Sequence, residues 1–315
     1  MLQPVRPHRG RIPIRPSLKA AGGPRHFGLA AALICAVALL CLAAAAGAAD
    51  TQPVFSPGEK LTFQIKWGAI PAGEATLEVL PMESRDGLPV YHFVMQVKTN
   101  PVLDRLYYYR SRIDAYADLQ MNHSLQYRQT TTTNRKEKSI TVDFDWSESM
   151  AHFHRIESFP DSKREPHVKK LDTPLLPGTF DPLSAFFYTR RQSLQEQTLI
   201  ERPISDGKRA LLANLEVLRK ETVWLNNRSF ETFLVQPDLK DVNPVFDKKS
   251  GATILIWLSA DAHRIPLKLN SQVRIGSFTG ELVGAQGVQG YSELAGGYGA
   301  KPPALAGVSA GLPES

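Results

Sequence analysis

The hydrophobic and polar residues of this chain alternate with a period of two over much of its length. Within the segment LTFQIKWGAIPAGEATLEVL at residues 61–80, Leu61, Phe63, Ile65 and Trp67 alternate with polar residues. A Gly/Pro-containing break at residues 68–73 precedes a second alternation that ends at residue 79. Alternation on both sides of such a break is typical of two half-buried antiparallel strands and their connection. The segment therefore predicts a β-hairpin.

Similar runs recur along the chain, many of them rich in aromatic and β-branched residues. They lie near residues 91–97, 106–116, 125–133, 140–146, 151–155, 199–201, 211–218, 221–225, 230–236, 253–258, 266–269 and 273–283. Turn-forming pairs separate several of them, among them Asp86-Gly87 and Asn226-Asn227. Strands at a spacing of about ten residues are typical of sandwiches, barrels and rolls. The sequence therefore predicts a mainly β protein with an antiparallel, curved sheet that is roll-like or barrel-like.

One segment, at residues 181–191, breaks this period. Asp181 is a favourable helix N-cap, and Pro182 occupies the first helical position, where its missing N–H costs nothing. Leu183, Phe186 and Phe187 then follow at i, i+3 and i+4, which places them on one helical face. We predict one short helix here, packed on the sheet through this stripe and closing one mouth of the curved sheet.

The first 49 residues have the composition of an export signal. They carry six basic side chains and no acidic one, followed by an apolar run at residues 27–46 and by small residues before Asp50. These are the three parts of a secretory signal peptide. Because the apolar run is near the length that spans a bilayer, a retained membrane anchor is the alternative. We predict a signal peptide at residues 1–49 and a periplasmic protein that has no membrane span after cleavage.

Removal of this segment changes the charge of the protein. The whole chain has 37 Lys and Arg against 31 Asp and Glu, a formal net charge of +6. Without the six basic residues of the signal, 31 remain of each sign, so the mature protein has no net charge to attract nucleic acid. Both cysteines, Cys35 and Cys41, also lie in the signal. Their position excludes a disulfide, a cysteine nucleophile and a thiolate metal site in the mature chain.

The rest of the chain divides into a folded part and a tail. Residues 284–315 contain eight of the 22 glycines together with several prolines, a composition that offers little to offset the entropy cost of ordering. We predict a flexible tail there. No linker interrupts residues 50–283, which we predict to form a single β-rich domain.

Three sequence blocks carry a family resemblance. They are WGAIPAGEA at residues 67–75, DPLSAF at 181–186 and IWLSADAHRIP at 256–266, the last leading to Ile275-Gly276-Ser277. Together they resemble the DUF3108 family of exported bacterial proteins, from about residue 58 to residue 283. The resemblance implies a predominantly β envelope protein without an established activity, and it implies no catalytic residue. At residues 227–229 the chain has Asn-Arg-Ser where the family has a small Pro-Ala-Gly turn.

Several side chains are candidates for chemistry, although none forms a complete motif. His152 and His154 share one face of a strand, and His167 follows nearby, so the three are weak candidates for metal ligands. Ser184 and Ser259 lack the G-x-S-x-G context of an exposed nucleophile. We predict no cofactor, and a metal-dependent or serine hydrolase is the less favoured alternative.

The aromatic side chains suggest binding instead of catalysis. In a curved sheet the inward residues fill the core or line a cavity, and a minority could contact an apolar ligand. The candidates for ligand contact are Trp67, Tyr107, Tyr109, Phe186, Phe187 and Trp257. We predict a non-enzymatic periplasmic envelope protein that binds a lipid or another apolar small molecule in a curved β-sheet. A structural or assembly factor that contacts another envelope protein is the alternative.

Overall fold

The computed structural model describes residues 53–160, 162–238, 253–273 and 276–291. All of them belong to one compact unit, Gln52–Ser315. The predicted signal peptide at residues 1–49 lies outside the described residues. Within the described ranges, no helix has both the length and the apolar character needed to cross a membrane.

The described chain forms fifteen strands and two short helices. The strands are β1 Lys60–Trp67, β2 Ile70–Val79, β3 Glu83–Arg85, β4 Leu88–Thr99, β5 Tyr109–Asp118, β6 Ser124–Thr133, β7 Glu137–Asp145, β8 Met150–Ser158, β9 His167–Pro174, β10 Thr198–Ser205, β11 Ala210–Leu225, β12 Arg228–Pro237, β13 Thr253–Ser259, β14 Pro266–Val273 and β15 Gly276–Gln286. The helices are α1 Pro101–Asp104 and α2 Pro182–Arg190. The mainly β prediction is confirmed, and so is the helix near residues 181–191. The prediction of one helix is incomplete, because α1 is a second one.

All strands belong to one antiparallel sheet. Its order is β10-β11-β12-β13-β14-β15-β1-β2-β4-β5-β6-β7-β8-β9, with β3 paired to β4 alone. The pairing of β15 with β1 joins the two halves of the chain, and β9 and β10 are left at the edges. Among the described strands no ladder closes the sheet into a continuous ring.

The two ends of the sheet nevertheless touch. The hydroxyl of Thr173 on β9 donates to the carbonyl of Gly207, in the turn between β10 and β11, at 3.0 Å. This turn also lies against β7, since a Cβ on Gly207 would meet a methyl group of Val142 at 2.6 Å. Gly207 has a φ of +83°, which the turn requires, and its lack of a side chain allows the turn to approach Val142 closely. The sheet is therefore curled until one edge meets the other.

The β1–β2 hairpin has the predicted form. Trp67 pairs with Ile70 across a two-residue turn, in which Gly68 adopts a φ of +58°. Gly73 serves a different purpose, because a Cβ at this position would lie 2.0 Å from the carbonyl oxygen of Lys98 on β4. One glycine therefore provides a left-handed turn conformation, and the other allows two strands to approach.

Helix α2 lies in the main core. The Asp181 carboxylate accepts the N–H groups of Leu183 and Ser184 at 2.8 and 3.0 Å, which satisfies the first turn of the helix. Phe187 is fully buried, and its ring stacks on that of Phe93 with centroids 3.9 Å apart. Two smaller apolar clusters lie elsewhere in the sheet, one on β11–β13 and one on β7–β8. Aromatic side chains of the strands and of α2 thus pack together in the main core.

The fold continues beyond the predicted end of the domain. Strand β15 runs to Gln286, and Val288 and Tyr291 are buried. The Tyr291 hydroxyl donates to Asp261 Oδ2 at 2.5 Å. The described fold therefore extends eight residues past residue 283, to Tyr291, and the rest of the predicted tail lies outside the described residues.

Candidate functional site

Two connections at one end of the sheet lie side by side. The first is the β1–β2 turn, and the second joins β4 to β5 through α1, which begins after the N-cap Asn100. The Asn100 side chain donates to the carbonyl of Pro71 at 2.6 Å, and its backbone N–H donates to the carbonyl of Ala72 at 3.0 Å. These bonds hold the two connections together.

Both connections present large apolar side chains to solvent. We term this surface the apolar tip; its members and exposed fractions are Trp67 at 42%, Ile70 at 61%, Val102 at 77%, Leu106 at 82% and Tyr107 at 53%. Single exposed apolar residues are common and need no explanation, but several in neighbouring loops are typical of a contact surface.

The aromatic rings of the tip each pack against another aromatic ring of the sheet. The Trp67 ring is stacked with Phe278 of β15, with centroids 6.4 Å apart, and a Cβ on Gly276 would lie 2.7 Å from its Nε1. The Tyr107 ring stacks on Tyr109, which is half-buried, at 6.3 Å. These contacts set the positions of the rings and leave one side of each exposed.

The tip carries little charge. Residues 67–71 and 100–108 contain two charged side chains, Asp104 and Arg105. Asp104 forms an ion pair of 2.6 Å with Arg110, and the hydrogen bond from Arg110 lowers the pKa of the Asp104 carboxyl. Arg105 is exposed and has no side-chain partner within the part of the chain that the structure describes. The tip is therefore apolar with one unpaired positive charge.

The six predicted ligand-contact residues fall in three places. Trp67 and Tyr107 belong to the tip, and Tyr109 stacks on Tyr107. Phe186 and Phe187 lie on α2 and pack into the core. Trp257 lies on β13, where its indole N–H donates to Glu221 and Lys268 Nζ lies 5.1 Å from its ring centroid. The structure thus brings Tyr107 and Tyr109 into contact and places Trp67 at the neighbouring β1–β2 turn.

The aliphatic members of the tip were absent from the predicted site. Ile70 is the first residue of β2, Val102 lies in the four-residue helix α1, and Leu106 follows α1. At the ends of elements and in so short a helix, no alternation indicates which side chains are buried. A signal was nevertheless present in the sequence. Ile70 stands between Gly68 and Pro71, and Val102 follows Pro101, so each is an apolar residue within a turn-forming stretch.

The three histidines do not converge on one point. His152 Nδ1 contacts Asp172 Oδ1 at 2.8 Å, and this hydrogen bond raises the pKa of His152. His154 lies opposite Lys170, and His167 Nδ1 accepts from Arg155 at 3.5 Å. His152 instead neighbours Asp145 and Glu148, with ligand atoms within 4.8 Å of one another. Exposed groups of this kind are common without an ion, so they assign no metal site.

Neither candidate serine is paired with a histidine base in the described structure. Ser184 is fully buried in α2, and its hydroxyl has no partner among the described residues. The Ser259 hydroxyl donates to Asp261 Oδ1 at 2.8 Å and accepts the N–H of Ile265 at 2.8 Å. The Asp261 carboxylate also accepts the N–H groups of His263 and Arg264. Ser259 and Asp261 are therefore turn-forming residues.

A polar cleft of about 300 Å³ lies on the outer face of β1, β2, β4, β5 and β6. Its basic side chains all belong to ion pairs of 2.6 to 3.3 Å, which are Lys60–Glu78, Lys98–Glu74, Arg110–Asp104 and Arg112–Asp114. Most of the remaining lining residues carry hydroxyl or amide groups. This cleft is unsuited to an apolar ligand, because burying its polar groups without hydrogen-bond partners would cost free energy.

These observations define the class as an open, curled, antiparallel β-sheet protein with an apolar tip. The chain belongs to the DUF3108 family, described as a protein of unknown function, whose model matches residues 62–283. It is also similar in structure to a β-barrel-like protein of the domain of unknown function DUF1849 from Brucella abortus. That similarity has a TM-score of 0.41 and 12% sequence identity, and it covers 73% of this chain and 97% of the other. No curated protein matches the sequence.

Proposed function

We propose that this chain is a non-enzymatic protein of the bacterial cell envelope that docks on a lipid surface through the apolar tip. One observation carries the proposal: five large apolar side chains are 42% to 82% exposed in two connections that hydrogen bonds hold together. The proposed location in the periplasm rests on the basic and apolar composition of residues 1–49.

The chemistry of the tip suits the boundary between headgroups and acyl chains. Trp and Tyr favour that boundary because they combine an apolar ring with a polar group. Full transfer of one large apolar side chain out of water contributes about 1.5–3 kcal/mol. Several such side chains, partly transferred, are enough for reversible peripheral binding. Arg105 adds attraction to anionic headgroups, and the carboxylate of Asp104 is already paired.

A lipid surface is favoured over a ligand held beside α2. Phe187 is fully buried, with the rings of Phe93 and Phe55 at 3.9 and 5.1 Å. A ligand at this position would have to displace packed rings, which is costly in a close-packed interior. The apolar tip needs no such rearrangement, because its side chains are already in solvent.

Vesicle flotation tests the proposal. The exported protein is mixed with vesicles of phosphatidylethanolamine and phosphatidylglycerol, and the double variant Ile70→Ser/Leu106→Ser is compared with wild type. We expect the double variant to lose roughly tenfold or more in vesicle affinity, since each replacement removes about 1 kcal/mol or more of apolar transfer. Leu199→Ser is the matched control, because Leu199 is 55% exposed but lies on the edge strand β10.

Three outcomes would contradict the proposal. Wild-type protein that does not float with these vesicles would exclude lipid docking. Equal binding by wild type and the double variant would exclude the apolar tip as the contact surface. A wild-type dimer that the double variant cannot form would assign the tip to contacts between copies of the chain.

A further inference from the structure

A group of basic side chains lies at the inner face of β7 and β8, with contributions from the β6–β7 and β10–β11 turns. We term it the inner basic cluster; its members are Lys136, Lys138, Arg155 and Lys208. None of its members belongs to the apolar tip, and the cluster lies on the opposite face of the sheet from the polar cleft.

Strand register places the central pair of the cluster on the inner face. Lys138 lies opposite Glu157, and Ile140 lies opposite Arg155, in the β7–β8 ladder. Residues two apart on a strand share a face, so Lys138 and Arg155 lie on the face that carries Val142. Val142 is buried in the β7–β8 apolar cluster. The two cations therefore border an apolar region.

Lys138 Nζ and Arg155 Nε lack hydrogen-bond acceptors among the described residues. The Lys138 ammonium is half-buried and has no hydrogen bond or ion pair among the described residues. Arg155 Nε is buried and has no hydrogen-bond acceptor in the same part of the chain. The Arg155 contact that exists runs from Nη2 to His167 Nδ1 at 3.5 Å, which is long for a hydrogen bond. Half-buried donors without acceptors are costly, and an anion would satisfy them.

The surrounding charges leave an excess of positive charge. Lys136 pairs with Glu157 at 3.2 Å, and Lys208 pairs with Asp206. Four cations of the cluster therefore face two carboxylates. Strand β9 adds Lys169, which lies opposite Arg155.

We propose that Lys138 and Arg155 bind a phosphate oxyanion, presented either as a free anion or as the headgroup of a phospholipid. An ammonium and a guanidinium Nε–H are charged donors that suit phosphate oxygens. The apolar residues that border them would accept the first carbons of a phosphate ester. The site contains no residue of the apolar tip, so this proposal can be tested independently of the proposed docking on lipid.

The electrostatics of Lys138 agree with this assignment. Burial and the neighbouring Lys136 lower the pKa of Lys138, with further contributions from Arg155 and Lys208, although Glu157 acts in the opposite sense. An oxyanion would offset the repulsion among these cations. The oxyanion binds the charged ammonium form of Lys138. The affinity of the site for the oxyanion should therefore fall as the pH rises through the pKa of Lys138, which is lowered below the ordinary lysine value of about 10.4.

Titration calorimetry tests the site with two probes, inorganic phosphate and a short-chain phosphatidic acid below its micelle concentration. The variant Lys138→Met keeps an unbranched apolar side chain of similar length and removes the charged ammonium group. We expect its Kd for the bound probe to rise roughly tenfold or more, as for loss of a charged hydrogen bond. Lys170→Met is the matched control, because Lys170 is an exposed lysine opposite His154, on the other face of the sheet. It should bind as wild type does.

A second readout separates binding from folding. Since Lys138→Met removes a repelled, half-buried charge, its melting temperature without ligand should equal or exceed that of wild type. If this variant does not fold, Arg155→Gln is used in its place, with the same loss of affinity expected. Binding of both probes would indicate a free-oxyanion site, and binding of the phosphatidic acid alone a headgroup site.

The proposal is overturned if wild type binds neither probe, or if neither Lys138→Met nor Arg155→Gln weakens binding. The tip variant Ile70→Ser/Leu106→Ser should keep full affinity for both probes. This result would hold even if the tip proved not to contact lipid, so failure of one proposal can be told from failure of the other.

Discussion

Arg190 and Glu59 form an ion pair in the interior of the protein, with Nη1 and Oε1 2.5 Å apart and side chains 0% and 2% exposed. The Arg190 guanidinium also donates to the carbonyl of His263 at 3.0 Å. The pair ties the end of α2 to the chain just before β1 and to the β13–β14 turn. The helix is thus fixed within the curled sheet by charge as well as by its aromatic face.

Loss of one partner of this pair should be costly. Arg190→Met leaves the Glu59 carboxylate buried without its cation, and we expect a loss of about 3–5 kcal/mol in the free energy of unfolding. The double variant Arg190→Met/Glu59→Leu should recover part of this loss, because it removes both charges. Urea denaturation of the three proteins measures the effect. A single variant as stable as wild type would show that the pair has no structural role.

Asp181 should make the stability depend on pH. Its side chain is buried, and burial raises the pKa of its carboxyl even though Ser124 donates a hydrogen bond to it at 2.6 Å. The folded state therefore holds this proton to a higher pH than the unfolded state does. The contribution of Asp181 to stability should fall as the pH rises from about 3.9, the unfolded value, to the raised value.

The variant Asp181→Asn isolates this contribution, since it keeps an oxygen for the helix cap but does not titrate. Its free energy of unfolding, measured by urea denaturation between pH 3.5 and pH 8, should lack the decrease that Asp181 contributes to wild type. Parallel curves for the two proteins over this range would contradict a raised pKa. Asp181→Ala should cost about 1–2 kcal/mol or more at every pH, because the cap itself is lost.

The two glycines of the first hairpin should differ in their tolerance of a methyl group. Gly73→Ala places a Cβ 2.0 Å from the Lys98 carbonyl oxygen, so the strands must separate. We expect a loss of about 2–3 kcal/mol in the free energy of unfolding. Gly68→Ala meets no atom within 4 Å and should cost only about 1 kcal/mol, for its φ of +58°. Thermal unfolding distinguishes the two, and equal losses would contradict the close approach of β2 and β4.

Local features of the fold could be predicted from the sequence. Alternation and turn chemistry predicted the β1–β2 hairpin, and Asp181-Pro182 with its apolar stripe predicted α2. The Asn226-Asn227 turn has the two positive φ values that the pair favours. Helix α1 was missed because its four residues are too short for a periodic signal. The pairing of β15 with β1 joins residues more than 200 positions apart, and no local pattern specifies it.

The candidate site was predictable only in part. Trp67 and Phe187 are both aromatic, so residue type alone predicted the same role for both. Their burial differs because it depends on how α2 packs against the assembled sheet. The predicted set therefore mixed exposed and core rings. The inner basic cluster could not be predicted from the sequence for the same reason, since the β7–β8 register alone brings Lys138 and Arg155 together. Arg190 lies within the predicted helical segment 181–191, but its partner Glu59 lies 131 residues away in the sequence.

The most direct test of lipid docking uses the absence of cysteine after residue 49, since Cys35 and Cys41 are the two cysteines of the chain. An environment-sensitive fluorophore is attached to Leu106→Cys in the apolar tip and, as the control, to Leu199→Cys on β10. On addition of phosphatidylethanolamine and phosphatidylglycerol vesicles, we expect a blue shift of the emission at position 106 and none at position 199. An unchanged emission at position 106, or equal shifts at both positions, would contradict docking through the tip.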